Sequence, residues 1–406
     1  MGMVVLVVNC GSSSLKFQLF DMRSEEVLAR GLVERIGLSG GKFKYYRGTE
    51  EPIEFTDSQV YASHANALEA VLKALTQRDY GVISDISTIN AVGHRVAHGG
   101  ELFTAATLIT EEVLRGIKDC ISLAPLHNPA NVTGIEECMR LMPGTPQVAV
   151  FDTAFHQTMP EEAYLYAIPY AYYQKHKIRR YGFHGSSHRY VAEQAAELLN
   201  KPLDRLKLIS CHLGNGSSIC AIKEGRSIDT SMGFTPLEGL PMGSRSGTID
   251  PAIIEFLVKK ENMSLDGVME VLNKKSGVYG ISGVSSDFRD LEQAAAGGNH
   301  LCDVAIQMFC RSVKKYIGSY YALLEGLDAL IFTAGIGENS ALVREKICTG
   351  LEHMGIKLDR RRNLTPDAIT VSAEDSKVKI MVISTNEELL IARDAQKIIL
   401  QRSIPS

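Results

Sequence analysis

Residues 3–20 have the sequence MVVLVVNCGSSSLKFQLF, in which a β-branched apolar run leads through a turn of small residues into an alternating run. A third such run covers residues 27–33. Short runs of this kind, separated by turn residues, predict an antiparallel meander of three strands. Residues 206–223, LKLISCHLGNGSSICAIK, and a short run at 227–230 repeat the same order about half a chain length later. The sequence therefore predicts an internal duplication, although two unrelated Gly- and Ser-rich turns would give the same pattern.

The remainder of the second half alternates between helical and strand patterns. Apolar spacing of three and four residues predicts helices, and capping residues predict their ends. No low-complexity linker separates the halves, so the domain boundary is expected just after Asp152. Strands interleaved with helices indicate an α/β fold. The predicted elements are a helix 252–260 begun by Asp250 and Pro251, a helix 301–324 ended by Gly326, a strand 330–333, a helix from Ser340 to about Gly350 capped by Asn339, a strand 379–383 and a helix 387–400 capped by Asn386.

The composition excludes several classes of protein. The 406 residues are 45% hydrophobic and 22% charged with a formal net charge of −4, which is typical of a globular protein and gives no reason to expect nucleic acid as a partner. No apolar run approaches the roughly 18 residues of a membrane span, and the N-terminus does not read as a signal peptide. The eight cysteines form no C-x-x-C pair, which favours reduced thiols. We therefore expect a cytoplasmic enzyme with no membrane segment.

Three turns rich in small residues follow predicted strands, at residues 9–14, 212–218 and 335–339. Glycines let backbone N–H groups approach phosphate oxygens, and serine hydroxyls add donors. None of the turns is a P-loop, and none has the third glycine of a dinucleotide fingerprint. Lys16 lies two residues beyond the first turn, where its ammonium would reach the same anion. The turns therefore indicate a phosphate site, with plain hairpin turns as the alternative.

A few charged side chains lie where packing gives no reason for them. Arg245 stands in a glycine-flanked loop, which indicates either an anion contact or a solvated side chain. Asp152 ends the predicted strand 148–151, a position where functional residues of α/β sheets are common. His184 and His188 would share one face at the start of a helix, but no acidic or cysteine partner completes a zinc site at the usual spacing. Buried, hydrogen-bonded histidines are the alternative.

Eight motifs occur in this order along the chain: NCGSSSLK (9–16), GHR (93–95), APLHNP (124–129), FDTAFH (151–156), YGFHG (181–185), HLGNG (212–216), GIGEN (335–339) and TNEE (385–388). With these motifs in this order, the chain resembles the acetate kinases from end to end. The resemblance implies an α/β fold of two duplicated RNase H-like domains, shared with sugar kinases, heat-shock ATPases and actin, that close over ATP. It implies an N-terminal domain of residues 1–152 with 388–406, a nucleotide-binding and dimerisation domain of residues 153–387, and a homodimer.

The activity implied by the resemblance is the reversible reaction of ATP with acetate, giving ADP and acetyl phosphate, with Mg2+. Asp152, His184 and Arg245 resemble the catalytic residues. A carboxylate is already ionised at neutral pH, so we expect Asp152 to position magnesium or an arginine and not to remove a proton. By the same resemblance, Asn9 and Glu387 are associated with the metal. Acetate would be bound by Arg95, Ala97, Leu126, Phe183 and Pro236, and ATP by Lys16, His212, Leu213, Gly214, Asn215, Gly216, Asp287, Phe288, Arg289, Gly335, Ile336, Gly337, Glu338 and Asn339.

One departure from the family pattern bears on the substrate. Acetate kinases commonly have valine where this chain has Ala97, and propionate kinases tend to have alanine there. The missing methyl groups would leave room for a longer acid, so a propionate or broad short-chain acyl kinase is the main alternative. Ser384 replaces the usual proline, which would loosen the approach to Glu387. A chaperone or filament ATPase, a sugar kinase and a pyrophosphate-using relative are the other classes considered.

Overall fold

The computed structural model describes residues 2–56 and 61–402. Its Cα atoms form two compact units. The first consists of the described residues of Met1–Phe155 and Asn386–Ser406, and the second of His156–Thr385. The chain thus leaves the first unit a few residues after Asp152 and re-enters it at the start of the last helix.

The first unit is built on a sheet of eight strands with the order β5-β4-β3-β2-β1-β6-β8-β7. Strands β1 to β5 form an antiparallel meander, and β6 and β8 continue the sheet in parallel with β1. The meander predicted from residues 3–33 is confirmed. The strands are β1 (Val4–Gly11), β2 (Ser14–Asp21), β3 (Glu26–Glu34), β4 (Lys42–Arg47), β5 (Ile53–Thr56), β6 (Ala91–Val96), β7 (Thr107–Leu108) and β8 (Gln147–Phe151).

Four helices cover this sheet: α1 (His64–Leu75), α2 (Glu111–Asp119), α3 (Asn128–Leu141) and α15 (Glu387–Arg402). Helix α15 packs closely on β6 because Gly93 has no side chain; a Cβ there would lie 2.6 Å from Cγ2 of Ile391. Asn386 caps α15 as predicted, with its Oδ1 accepting from the Leu389 N–H at 3.0 Å. The capped helix brings its first residues to the carboxyl ends of β6 and β8.

The second unit has a five-stranded sheet with the order β11-β10-β9-β12-β13. Its pairings repeat β3-β2-β1-β6-β8 of the first unit in sequence and direction, with an antiparallel meander continued by two parallel strands. Both units also carry a register shift between the second and third strands of the meander. The shared topology supports the predicted duplication. The strands are β9 (Lys207–Leu213), β10 (Ser217–Lys223), β11 (Arg226–Thr230), β12 (Ala329–Thr333) and β13 (Lys379–Val382).

Helices surround this second sheet, and the 25-residue α11 lies over its buried face with Phe309, Val313 and Ile317 in the core. In the two units together, short 3-10 turns occur at Ile86–Thr88, Cys120–Ser122, Ala154–Thr158, Leu203–Arg205 and Glu352–Met354. The helices are α4 (Glu161–Tyr164), α5 (Tyr170–His176), α6 (Gly185–Leu199), α7 (Ala252–Lys260), α8 (Leu265–Lys274), α9 (Gly277–Ser282), α10 (Phe288–Ala296), α11 (His300–Leu324), α12 (Ala334–Asn339), α13 (Ala341–Cys348) and α14 (Arg360–Leu364).

Two local predictions in the second unit were wrong. Residues 335–339 form helix α12 and not an open turn, and the cap of the following helix is Ser340, whose Oγ accepts from the Val343 N–H at 3.1 Å. Helix α11 ends in a left-handed residue one position earlier than predicted, at Glu325, before Gly326. Two glycines in five residues hid the short helix, because glycine is a poor helix former.

All eight cysteines are buried and free. Within the described part of the chain, no helix is long and apolar enough to cross a membrane.

Candidate functional site

In the first unit, Arg95 and Asp152 form a fixed ion pair at the carboxyl edge of the sheet. Arg95 is the fifth residue of β6, and Asp152 directly follows the neighbouring parallel strand β8. Arg95 Nε lies 3.0 Å from Asp152 Oδ1, and Nη2 lies 2.8 Å from Oδ2. The Asp152 side chain is 6% exposed and that of Arg95 is 29% exposed. The carboxylate therefore holds the guanidinium in one orientation while part of it remains open to a ligand.

Glu387 adds a second carboxylate to this cluster. Its Oε2 lies 3.7 Å from Arg95 Nη2 and has no hydrogen-bond partner among the described residues, although it is buried. Burial raises the pKa of Glu387 above its ordinary value, and Arg95 opposes that shift. The adjacent Glu388 pairs with Lys16 of β2. A buried carboxylate oxygen without a donor is a fitting ligand for a cation.

Asn9, on β1 and paired in register with Lys16, is half-buried in the same unit. Amide and carboxylate oxygens are ligands that Mg2+ accepts, and Mg2+ in nucleotide sites takes only one or two protein groups besides phosphates and water. Asn9 and Glu387 together fit that pattern. Among residues 2–56 and 61–402, no cluster of three or more His, Cys, Asp or Glu side chains is placed to hold a metal ion.

The segment after β6 is held by two buried asparagines of α3. The Ala97 N–H donates to Asn131 Oδ1 at 3.0 Å, and Asn131 Nδ2 donates to the Cys10 carbonyl at 2.8 Å. Asn128 exchanges hydrogen bonds with both backbone groups of His98. These contacts fix Ala97 relative to the end of β1. Neither asparagine was singled out in the sequence, because only tertiary contacts reveal what they hold.

Leu126, predicted to line the acyl pocket, is 72% exposed in the loop before α3. Exposure of a large apolar side chain in a short loop has no packing benefit, which is compatible with a ligand contact. The other two predicted pocket residues lie in the second unit. Phe183 is buried with Met232 and Met242, and Pro236 is half-buried in the segment after β11.

The second unit contains a cavity of about 550 Å³ next to the turn after β9 and helices α10 and α12. Eight predicted nucleotide contacts line it: Gly214, Asn215, Asp287, Phe288, Arg289, Gly335, Ile336 and Asn339. Three further lining residues, Ser286, Glu292 and Ser340, were missed. Ser286 precedes a predicted residue and Ser340 follows one, while Glu292 lies one helical turn beyond Phe288, so a helical reading of this stretch would have found it.

The remaining predicted nucleotide contacts do not line that cavity. His212 and Leu213 are buried in β9, and Lys16 belongs to the first unit. Glu338 turns back onto its own helix, where Oε1 accepts from the Ala334 N–H at 2.8 Å, and Oε2 accepts from Ser384 Oγ at 2.8 Å. Ser384 thus makes a hydrogen bond that the proline usual at this position could not make. Gly216 and Gly337 also fall outside the lining, Gly337 because it is buried.

Asp287 and Arg289 form the exposed rim of the cavity. Asp287 caps α10, with Oδ1 accepting from the Arg289 N–H at 2.9 Å, and its Oδ2 pairs with Arg289 Nη2 at 2.6 Å. Hydrogen bonds from the Arg289 side chain and backbone lower the pKa of Asp287 to about 2. The Arg289 side chain is almost fully exposed, so its guanidinium is open to solvent on the side away from Asp287.

Arg245 and His184 converge beside Gly216. Arg245 Nη1 and His184 Nε2 each lie 3.6 Å from the position that a Cβ would take at Gly216. Arg245 is half-buried and makes no ion pair within the described residues; its Nη1 donates only to the Pro236 carbonyl at 3.4 Å and to a methionine sulfur. Burial lowers the pKa of Arg245. A half-buried guanidinium without an acidic partner is suited to bind an anion.

His184 is held in an unusual backbone conformation at the start of α6. Its φ of 56° lies in the left-handed region, which costs a non-glycine residue about 1 kcal/mol or more. The ring stacks on that of His212, with centroids 4.1 Å apart, and His212 Nδ1 lies 2.7 Å from Ser187 Oγ. Such strain is common where a side chain must be aimed at a ligand. The start of α6 and the segment 239–247 therefore bring His184 and Arg245 to one point beside Gly216.

Comparison with known proteins extends over nearly the whole chain. A model of the acetokinase family matches residues 4–393. The acetate kinase of Thermoanaerobacterium thermosaccharolyticum is 58% identical over 399 residues, covering 98% of this chain and 99% of that protein. The crystal structure of Porphyromonas gingivalis acetate kinase matches with a TM-score of 0.94 at 46% identity, covering 98% and 100%. That of a propionate kinase from Francisella tularensis matches with a TM-score of 0.91 at 44% identity, covering 97% and 99%.

Proposed function

This chain belongs to the acetokinase family, and from that premise we propose how its side chains carry out the reaction. The chain is a phosphotransferase with a carboxyl group as acceptor: ATP and acetate react reversibly to give ADP and acetyl phosphate. The observation that carries the assignment of residues is Arg245, a half-buried guanidinium with no acidic partner in the described chain, beside His184.

Acetate is proposed to bind Arg95 in the first unit. At neutral pH the carboxyl group of acetate is ionised, so no base is needed to activate it. The task is to bring an anion to a highly charged phosphate and hold it in line. A guanidinium held along one edge by both carboxylate oxygens of Asp152 offers its remaining N–H groups at a set angle. We therefore assign Asp152 the role of orienting Arg95.

ATP is proposed to bind the 550 Å³ cavity of the second unit. Glycines at 214 and 335 leave room for the nucleotide, and Arg289 at the rim adds a cation. The transferring phosphoryl group carries its charge on equatorial oxygens, and catalysis consists largely of positioning and charge stabilisation. Arg245 and His184, aimed at one point, supply fixed donors for those oxygens.

Mg2+ is proposed as the metal, held by Asn9 and Glu387 with oxygens of the substrates. The support is the buried Glu387 Oε2, which lacks a donor among the described residues. Bound there, the cation would neutralise phosphate charge. The chain's own contribution is to keep Glu387 at the capped start of α15, within reach of Arg95 but outside its hydrogen-bond distance.

A homodimer and a cytoplasmic location complete the proposal. Supporting the dimer, α7 and α9 expose apolar side chains that a monomer has no reason to present, among them Ile253, Phe256 and Ile281. Light scattering of the purified protein tests this, and a Phe256→Glu variant is expected to shift the equilibrium toward monomer. Supporting the location, eight buried cysteines remain free, as in reducing compartments.

The activity is tested by trapping its product. The protein is incubated with Mg-ATP and acetate, propionate or butyrate, and hydroxylamine converts any acyl phosphate to a hydroxamate. Hydroxamate from acetate, dependent on ATP, is the expected result. ATP hydrolysis without hydroxamate from any of the acids would contradict the assignment.

A further inference from the structure

A buried hydroxyl joins the rings of His184 and His188. Ser218 Oγ lies 2.9 Å from His184 Nδ1 and 2.8 Å from His188 Nε2. The other ring nitrogen of His188, Nδ1, lies 3.0 Å from Ser210 Oγ. His188, Ser210 and Ser218 are completely buried. The four side chains thus form one hydrogen-bonded chain that runs from the core to the proposed donor.

This chain depends on the helix–sheet packing of the second unit. His184 and His188 are four residues apart at the start of α6, so their side chains lie on the same face. Ser210 and Ser218 lie on the neighbouring antiparallel strands β9 and β10. None of these contacts is close in sequence. The proposed mechanism uses His184 but assigns no task to His188 or to the two serines.

The charge state of His188 limits the possible directions of these hydrogen bonds. Its pKa lies well below the ordinary value of a histidine because of burial, with His156 and His212 adding to the shift. His188 is therefore neutral and has one N–H to give. His184 Nε2 and Arg245 Nη1 lie close to the same point beside Gly216, where the guanidinium would repel a positive charge on the imidazole.

A neutral His184 carries one proton, so it can donate from Nε2 only if its Nδ1 is unprotonated and accepts a hydrogen bond. We propose that Ser218 and His188 are positioning residues that hold His184 as the tautomer with its proton on Nε2. His188 Nε2–H donates to Ser218 Oγ, Ser218 O–H donates to His184 Nδ1, and Ser210 O–H donates to His188 Nδ1. In the reverse direction, a neutral His184 would present a lone pair to the phosphoryl oxygens.

This inference rests on the proposed role of His184 as a donor, but the tautomer can be read without activity. Protein labelled with 15N at histidine, with His184 assigned from a His184→Asn variant, is compared with Ser218→Ala, Ser218→Thr and a control, Ser227→Ala. The control removes another buried hydroxyl bonded to a histidine, since Ser227 Oγ lies 2.9 Å from His156 Nδ1. Steady-state kinetics are measured on each variant.

The expected spectrum of the unaltered protein shows neutral His184 protonated on Nε2. In Ser218→Ala we expect that preference to be lost and kcat to fall by tenfold or more, because removal of one preorganised donor costs roughly 10²–10³-fold in full. KM for both substrates should change by less than about twofold, and Ser218→Thr should restore the spectrum and most of kcat. Ser227→Ala should leave the His184 signals in place.

His184 protonated on Nδ1 in the unaltered protein would overturn the inference, and so would an unchanged tautomer in Ser218→Ala. Failure of the proposed donor role has a different signature. In that case the His184→Ala variant would keep a near-normal kcat, although the spectrum of the unaltered protein still showed His184 protonated on Nε2.

Discussion

Both carboxylate oxygens of Asp152 accept hydrogen bonds from one edge of the Arg95 guanidinium, at 3.0 Å from Nε and 2.8 Å from Nη2. The pair joins two parallel strands at their carboxyl ends and leaves part of Arg95 exposed. A carboxylate whose two oxygens both accept hydrogen bonds from Arg95 is not placed to take a proton from a substrate. Its value to the reaction lies in the fixed direction of the remaining N–H groups of the arginine.

Replacing Asp152 by asparagine is therefore expected to reduce turnover strongly. Truncating one partner of a buried charged pair costs about 2–5 kcal/mol, so kcat/KM for acetate should fall by roughly 30-fold or more. The control is Glu25→Gln, which breaks another two-pronged pair of the same unit, between Glu25 and Arg393. Steady-state kinetics with varied acetate decide the matter, and a near-normal rate in Asp152→Asn would refute the orienting role.

The size of the residue at position 97 is expected to set the preference among short acids. Valine would add two methyl carbons, and a buried CH2 is worth about 0.8 kcal/mol. Ala97→Val should therefore lower kcat/KM for propionate relative to acetate by about tenfold, whereas Ala105→Val, at an exposed loop position, should leave the ratio unchanged. The unaltered enzyme should use propionate at more than a hundredth of its efficiency with acetate. An unchanged ratio in Ala97→Val would remove Ala97 from the acyl pocket.

Filling the cavity at Gly335 is expected to exclude the nucleotide without unfolding the protein. A Cβ at Gly335 meets no atom within 4 Å, and the residue lines the cavity within a helix. Gly335→Leu should raise the Kd for ADP at least tenfold by calorimetry. Gly318→Ala, in α11, also adds a Cβ to open space but lies outside the cavity, so its Kd should not change. Equal Kd values for both variants would mean that the nucleotide binds elsewhere.

The free energy of unfolding is expected to decrease as the pH is lowered, because His94 is buried in its neutral form. Burial lowers the pKa of His94 from 6.5 to about 4 in the folded protein, opposed by its hydrogen bond with Gln147. Between these values the unfolded chain binds a proton that the folded chain does not, so the stabilisation is complete above pH 6.5 and is lost as the pH falls toward 4. The slope for one proton is about 1.4 kcal/mol per pH unit.

A His94→Asn variant provides the comparison. It should be less stable than the parent at pH 7 in urea unfolding, and the difference should shrink by about 2 kcal/mol at pH 5. His188 is retained in both proteins, so its own contribution cancels. A difference independent of pH would show that the pKa of His94 is the same in the folded and unfolded states, and a difference that grew as the pH fell would show that it is raised on folding.

The sequence was sufficient for the features that depend on local period. Alternating residues at 3–33 and 206–230 predicted both meanders, and the spacing of apolar residues predicted α11 and α15 to within two residues at their starts and ends. The helix at 334–339 was read as a turn, because its two glycines outweighed a pattern only six residues long. A phosphate contact is still predicted for this segment, but its helical backbone was not foreseen.

The features that give the site its chemistry depend on distant residues. That Arg245 lacks an acidic partner in the described chain, and that it meets His184 beside Gly216, follows from how the 239–247 segment folds over the turn after β9. The ion pair of Asp152 with Arg95 joins residues that are 57 positions apart in the sequence. The link from His184 through Ser218 to His188 similarly connects a helix with a strand 30 positions away. No periodic pattern encodes such pairs.

The most direct test of the proposed mechanism is the rate of acetyl phosphate formation by Arg245→Ala, measured with and without added guanidinium chloride at concentrations that leave the protein folded. We expect kcat to fall by roughly 10²–10³-fold, because a fixed donor to the transferring phosphoryl group is lost, and free guanidinium to restore part of the rate. A rate near that of the unaltered enzyme would contradict the assignment of this half-buried cation to the reaction.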